Sequence, residues 1–264
     1  MATTSLAATL TFPLPADGDR SRYSFEFELL QAALNASQTG KTEADQLRWS
    51  TQNMTQGRAR IEVAAGNLSV VHSYATPELD QQLTPVPFSL DKGLNSQRIL
   101  LTRRSLLPKL AAIRSADDLR DLRFGVLGSW SDRRLLQGMG FKVETTESFS
   151  GLFKMLGLGR SDVIMSGLLH MQQVTPFMAE PSDLEWEPTL LITVPSQQRF
   201  YTARTAEGEA LAKRLLRGLQ RLQASGEFDR LHTQHFGEQI SAGNGRRVIH
   251  LLDKNAAALS PPRQ

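Results

Sequence analysis

The sequence contains no cysteine. Disulfides, thiol nucleophiles and Cys-ligated metal centres are therefore excluded, and no lipid on an N-terminal Cys is expected, although the compartment stays open. Long apolar runs are also missing. No stretch approaches the about 18–20 residues that a membrane-crossing helix needs, so no membrane insertion is expected. Residues 1–10 have no basic segment followed by a long apolar core, so they are not an intact signal peptide. Ser5-Leu-Ala-Ala8 suits the tail of one already removed, and a plain flexible N-terminus explains it as well. Charge of one sign is scarce: 30 Lys+Arg against 27 Asp+Glu leave a formal +3. No basic run interleaves with aromatics, so nucleic acid is not an expected partner. Histidines number five. His232 and His235 stand at i and i+3 on a helix with no third ligand nearby, so neither a metal nor another cofactor is expected.

The remaining composition favours an ordinary folded chain. Its 264 residues, 40% hydrophobic and 22% charged, can bury a sizeable core and are comfortable for two lobes. Periodicity and turn residues predict a strand over 8–14, a helix over 23–36 with Phe27, Leu30 and Leu34 on one face, a strand over 46–50, a helix over 54–65 and a strand over 68–74. A second β-α-β-α-β run follows, with strands over 124–127, 142–145 and 162–166 and helices over 132–139 and 149–156. An extended segment over 83–90 leads into a strand over 97–102, and a strand over 189–194 returns to the first half, so two extended crossings join the halves. Leu211, Leu215, Leu219 and Leu222 form the apolar stripe of a helix over 206–225 that Gly226 stops. A short helix over 228–236 ends at Gly237, and 241–264 reads as an appended tail. Such repeats imply parallel sheets with crossover helices. Ligands in such sheets bind outside the carboxyl ends of the strands, so function is sought there and not at a reactive residue.

Four segments carry a family resemblance. Residues 23–33 match a first helix. Gly66-Asn-Leu-Ser-Val-Val-His-Ser-Tyr-Ala-Thr-Pro-Glu78 is similar to a Gly-x-x-Asp-hydrophobic run ending in Thr-Pro-Glu-Arg. Leu158-Gly-Arg-Ser-Asp-Val-Ile164 is similar to a Gly-Arg-x-Asp-hydrophobic strand, and residues 219–237 match a C-terminal helix, turn and aromatic-Gly ending. In this order they resemble the bacterial extracellular solute-binding proteins of family 3, over residues 8–238. The resemblance implies an α/β, two-lobed type II periplasmic-binding-protein fold, each lobe a mostly parallel sheet flanked by helices, with a cleft between them. Lobe 1 is expected over 1–100 plus 195–240, lobe 2 over 101–194 and an extension over 241–264. It implies a monomeric, non-enzymatic periplasmic protein that closes around a small polar, anionic solute for an ABC transporter permease or a membrane sensor.

The departures from the family pattern are specific. Amino-acid binders of the family place Arg after Thr-Pro-Glu to grip an α-carboxylate; here Leu79 and Asp80 follow. They place Asp after the strand matching 162–166 to hold the α-amine; here Ser166 and Gly167 stand. The chain resembles instead a divergent branch with Trp-x-Asp after the second-lobe Gly loop and Arg on the crossing strand, here Trp130, Asp132 and Arg98.

Candidate ligand contacts follow from strand and helix ends. Arg22 and Tyr23 begin the first helix. His72, Ser73 and Tyr74 end a strand. Ser129, Trp130, Ser131 and Asp132 form a loop entering a helix, where freed N–H groups take an anion. Ser166 and Gly167 end another strand. Arg98, on an otherwise apolar strand, needs an acidic partner or a ligand anion. Each has a plain alternative: capping loop, packing aromatic, internal salt bridge or surface charge. Two further functions stay open. One is a dehydratase-like enzyme on the same scaffold, with Asp132, Glu78 and His72 as the available acid–base groups. The other is a ligand-sensing module of a signalling receptor.

Overall fold

The computed structural model of the chain describes residues 9–38, 45–128, 130–178 and 183–251. The first stretch runs β1 (Thr9–Pro15), α1 (Ser24–Ala36), β2 (Gln46–Met54), α2 (Gln56–Ala64), β3 (Val71–Tyr74), α3 (Pro77–Gln82) and β4 (Thr84–Pro85). The middle runs β5 (Gln97–Arg103), α4 (Leu107–Ala111), β6 (Arg123–Leu127), α5 (Ser131–Gly138), β7 (Lys142–Thr146), α6 (Phe149–Gly157), β8 (Val163–Gly167), α7 (Met171–Val174), β9 (Leu184–Trp186) and β10 (Leu190–Thr193). The last stretch adds β11 (Gln198–Thr202), α8 (Ala206–Ser225), α9 (Glu227–Gly243) and β12 (Arg247–His250). The fold is mixed α/β. Its contacts divide it into unit 1, Met1–Gly93 with Gln197–Gly237, and unit 2, Leu94–Ser196 with Glu238–Gln264.

In unit 1, β1 and β2 pair in parallel. The amides of Ser69 and Val70 then donate to the Thr11 carbonyl at 3.1 and 3.4 Å, carrying the pattern toward β3. β3 itself pairs antiparallel with β11, His72 opposite Phe200 and Ser73 opposite Arg199. Opposed residues share a face of a sheet. His72 and Phe200 therefore belong to the face that carries Phe12, Phe25, Leu29, Leu30, Leu34, Leu215 and Leu219. Val71 and Tyr201 belong to the other, packed with Ala59 and Val63 of α2, Leu79 of α3 and Leu83 directly after it. Thr55, Thr76 and Thr205 cap α2, α3 and α8 with side-chain oxygens, each worth about 1 kcal/mol.

Helix α8 packs on α1 so closely that a methyl group at Gly218 would overlap the Ala33 carbonyl. The leucine stripe is buried as the periodicity predicts, with Leu211 half-buried, and Gly226 takes φ 78° as the αL cap. Gly237 does not end the next helix: α9 continues to Gly243. A helix-interior glycine costs only about 1 kcal/mol, which packing overrides.

Unit 2 is built on a seven-stranded sheet of order β12-β10-β5-β8-β6-β7, with β9 also on β5. β6 pairs in parallel with β7 and β8, whereas β5 runs antiparallel to β8 and β10. Its core includes Leu100, Phe124, Val126, Leu136, Val163, Leu190 and Ile249. Within the segment read as an appended tail, Arg247–His250 form strand β12, parallel to β10. Arg246 holds it, donating to the carbonyls of Ala242, Leu190 and Glu187. The buried Glu187 carboxylate accepts from the Thr189 and Leu190 amides and the Thr189 hydroxyl. Residues 168–178 form short helical turns around α7.

Candidate functional site

Unit 1 gathers Tyr23 and His72 into one cluster. The Tyr23 ring stands edge-on to the imidazole at 4.4 Å between centroids. His72 is only 2% exposed. Its Nδ1 lies 3.2 Å from Glu26 Oε1 and 2.9 Å from Gln198 Nε2, and its Nε2 lies 3.4 Å from Gln56 Nε2. Burial alone would raise the Glu26 carboxyl pKa. The neighbouring His72, with hydrogen bonds from His72 and Gln198, more than offsets this and holds it below its ordinary value. Burial raises the Tyr23 phenol, only partly opposed by its hydrogen bond with Gln56. Glu26, Gln56 and Gln198 were not singled out in the sequence. Glu26 lies three residues after Tyr23, on the same helical face, and is the one legible signal among them.

The other unit 1 candidates lie elsewhere. Arg22 is exposed and pairs with Asp17 at 3.2 Å. Ser73 is buried but pairs opposite Arg199, on the far side of the strand from His72. Tyr74 is 41% exposed. Leu79 is a core residue, and Asp80 accepts from the Tyr201 hydroxyl at 2.8 Å and from Arg199 at 3.3 Å. Tyr201 ionises far above the usual phenol range, through burial and then this bond to Asp80. A separate hollow of about 340 Å³ lies among Ser50, Gln52, Met54, Arg58, Glu62 and Asn67. It includes no candidate residue, and its Arg58 and Glu62 pair with each other.

Unit 2 brings together Arg98, Asp132 and Gly167. Arg98 Nε faces Asp132 Oδ2 at 3.5 Å, and its Nη1 donates to the carbonyls of Asn95 and Gln97. The acidic partner that a buried arginine requires is thus Asp132. β5 and β8 set Arg98 directly opposite Gly167. A Cβ at Gly167 would stand 2.7 Å from His170 Nδ1 and 3.8 Å from Arg98 Nη1, so His170 occupies the room a side chain there would need. Ser166 is buried, one residue earlier, opposite Ile99. Trp130 is the N-cap residue of α5 without a side-chain cap bond. It packs on both apolar clusters of the unit and meets Phe149 edge-on at 6.2 Å. Ser129 lies outside the described residues, as does the Ser131 side chain.

Among the described residues, no group of three or more His, Cys, Asp or Glu is placed to hold a metal ion, and no helix is long and apolar enough to cross a membrane.

No protein-family model matches the chain, and no curated protein sequence matches it. Solved structures do. YckB of Bacillus subtilis is 14% identical, covering 93% of this chain and 97% of that one, with a TM-score of 0.61. The second substrate-binding domain of a putative amino acid ABC transporter from Streptococcus pneumoniae is 16% identical, covering 86% and 99%, with a TM-score of 0.56. An ancestral arginine-binding protein bound to arginine is 15% identical, covering 88% and 100%, with a TM-score of 0.54. At such identities the likeness is one of fold. The chain has the type II periplasmic-binding-protein fold that its sequence motifs imply.

Proposed function

We propose that this protein is a periplasmic solute-binding protein that takes a small polar, anionic solute and presents it to an ABC transporter or a membrane sensor. The observation that carries this reading is the Arg98–Asp132–Gly167 group at the strand ends of unit 2. It places a half-buried cation beside a backbone stripped of its side chain, where α/β sheets receive ligands. The fold supports the same reading, since neighbours of this fold include substrate-binding domains of amino acid ABC transporters. Tyr23, His72, Ser73 and Tyr74 in unit 1, and Ser129, Trp130, Ser131 and Ser166 in unit 2, are the remaining proposed contacts. Arg22, exposed and paired with Asp17, is the most peripheral of the set.

The test is a thermal-shift screen of the purified chain against amino acids, mono- and dicarboxylates, and neutral polar solutes. A solute at 100 times its Kd stabilises by about 2.7 kcal/mol, so a true ligand raises the melting temperature by several degrees. A screen in which no solute stabilises the chain would overturn the reading. Chemical turnover of a stabilising solute would replace it with the enzymatic one.

A further inference from the structure

The side-chain amide carbon of an asparagine is an electrophile within reach of its own main chain. The amide nitrogen of the following residue can attack it, and the attack is least hindered where that residue is glycine, which carries no Cβ. Of the six asparagines in the chain, only Asn244 precedes a glycine. One aspartate, Asp17, also precedes a glycine.

The fold holds these two dipeptides differently. The Gly18 amide donates to the Pro15 carbonyl at 2.8 Å, and the Asp17 carboxylate pairs with Arg22 at 3.2 Å and accepts from the Asp19 amide at 3.1 Å. Nucleophile and electrophile are both engaged there. At Asn244 neither is. Asn244 and Gly245 are exposed, in the turn between α9 and β12. Among the described residues, neither the Asn244 side chain nor the Gly245 amide has a hydrogen-bond partner. Gly245 takes φ 75°, with no atom within 4 Å of where its Cβ would stand. Arg246 and Arg247 follow directly, and their positive charge favours loss of the Gly245 amide proton.

We propose that Asn244-Gly245 is a site of spontaneous deamidation, and that its isoaspartyl product loosens β12 from the end of α9. The Gly245 nitrogen gives its proton to solvent and bonds to Asn244 Cγ. The Cγ–Nδ2 bond breaks, and Nδ2 takes a proton from solvent and leaves as ammonia. The product is a five-membered cyclic imide. Water then opens it at either carbonyl, to an aspartyl residue or to an isoaspartyl one whose main chain runs through Cγ. One water enters and one ammonia leaves. The isoaspartyl form adds a methylene to the main chain of a turn fixed on both sides. Arg246 Nε donates back to the Ala242 carbonyl at 2.7 Å, and its Nη1 donates to the carbonyls of Glu187 and Leu190. Leu190 stands opposite Arg247 in the β10–β12 register. β12 has four residues and, among the described residues, pairs with β10 alone. It has few bonds with which to absorb a longer connection.

In the experiment the full chain is incubated at physiological temperature, at neutral and at mildly alkaline pH, and digested with trypsin at intervals. The peptide Leu231–Arg246 should gain about 1 Da as the amide becomes an acid, faster at the alkaline pH. Fragmentation should place the gain at Asn244, and an isoaspartyl methyltransferase should label the same peptide. Peptides holding Asp17, Asn35, Asn53 and Asn67 should stay unlabelled over that time, and Asn244→Gln should abolish the label. The isoaspartyl fraction, separated by ion exchange, should exchange the amide hydrogens of Val248–His250 about tenfold faster than the parent. Freshly purified Asn244→Asp carries the new charge without the methylene and should exchange as the parent does. A peptide that gains no mass while the urea-unfolded chain gains it would overturn the site. Equal labelling at Asp17 would overturn the role of the open turn. An isoaspartyl fraction that exchanges like the parent would overturn the loosening of β12. Fast exchange in Asn244→Asp would make charge the cause and overturn the role of the longer chain.

Discussion

The two units answer the same architectural question in opposite ways. Both gather polar side chains from strands and the helices beside them. In unit 1 those residues turn inward and satisfy one another: Glu26, His72, Gln56 and Gln198 form a closed network next to Phe12 and Tyr23. In unit 2 the Arg133 Nε and the Ser161 Oγ are buried with no hydrogen-bond partner, as is the Gln38 Nε2 in unit 1, outside that network. A closed buried network fixes one packing arrangement and is costly to break. A buried donor left unmade costs about 1–3 kcal/mol.

The contrast extends to how tightly the units are packed, and Gly218→Ala should have the largest effect. The new methyl must displace the Ala33 backbone of α1. A backbone cannot swing aside, so a loss of about 3 kcal/mol is expected, the upper part of the range for overpacked cores. Gly125→Ala in unit 2 meets Ser161 Oγ at 2.8 Å and Met155 Cε at 3.1 Å. These are side-chain atoms, which give more readily than a backbone, and the cost should be about 1 kcal/mol, the lower end of the range. Denaturant melts would order the two. Equal losses would show that the α1–α8 contact is not a rigid element of unit 1.

Next comes Glu26→Gln. It keeps the volume but removes the charge that faces His72 Nδ1. Since it disturbs the hydrogen bonding of a buried group, it should cost about 1–3 kcal/mol. Asp132→Asn makes the matched change at the partly buried Arg98 pair, which is long at 3.5 Å and whose arginine keeps its two carbonyl acceptors. Its cost should be about 1 kcal/mol. A larger loss from Asp132→Asn than from Glu26→Gln would invert the assignment of closed and open clusters.

Much of this was legible in the sequence because it is local. The strands ending at Leu127 and at Gly167, the leucine stripe of α8 and its Gly226 stop all follow from period and turn chemistry. The long-range facts were not legible. Strand β12 was missed because a four-residue segment becomes a strand only through its neighbour β10. Arg98 reads in the sequence as needing an acid or an anion, and only the register of β5 and the placement of α5 show that Asp132 meets it. Gln198 lies 126 residues from His72, a distance no local pattern spans. Arg133 gave no signal at all, because a residue is recognised as unpartnered only when its surroundings are known.

Acid should separate the units by the smallest but cleanest effect. In unit 1, His232 Nε2 lies 3.0 Å from the Asp91 carbonyl among Phe25, Phe228 and Phe236. Burial lowers its pKa below the ordinary 6.5; the bond to Asp91 works the other way without cancelling this, nearby Lys92 adds to the lowering, and Asp229 and the Asp91 charge oppose it. The unfolded chain therefore takes up this proton first as pH falls below 6.5, and unit 1 loses stability from there downward. Glu26, lowered from 4.5, contributes stability that is present above that value and lost below it. In unit 2, Asp162 is lowered from 3.8: burial raises it, but the bonds and charge of Arg123, with Arg103, prevail. Its contribution persists until pH falls below 3.8. Trp49 belongs to unit 1, and Trp130 and Trp186 to unit 2, so tryptophan-to-phenylalanine variants give each unit its own fluorescence melt. Between pH 7.5 and 5, the unit 1 melt should fall while the unit 2 melt holds. His232→Gln should flatten that slope and leave the fall below pH 4.5 in place. If both melts fell together over pH 7.5 to 5, or if His232→Gln left the slope unchanged, the buried imidazole would not be what distinguishes the two units in acid.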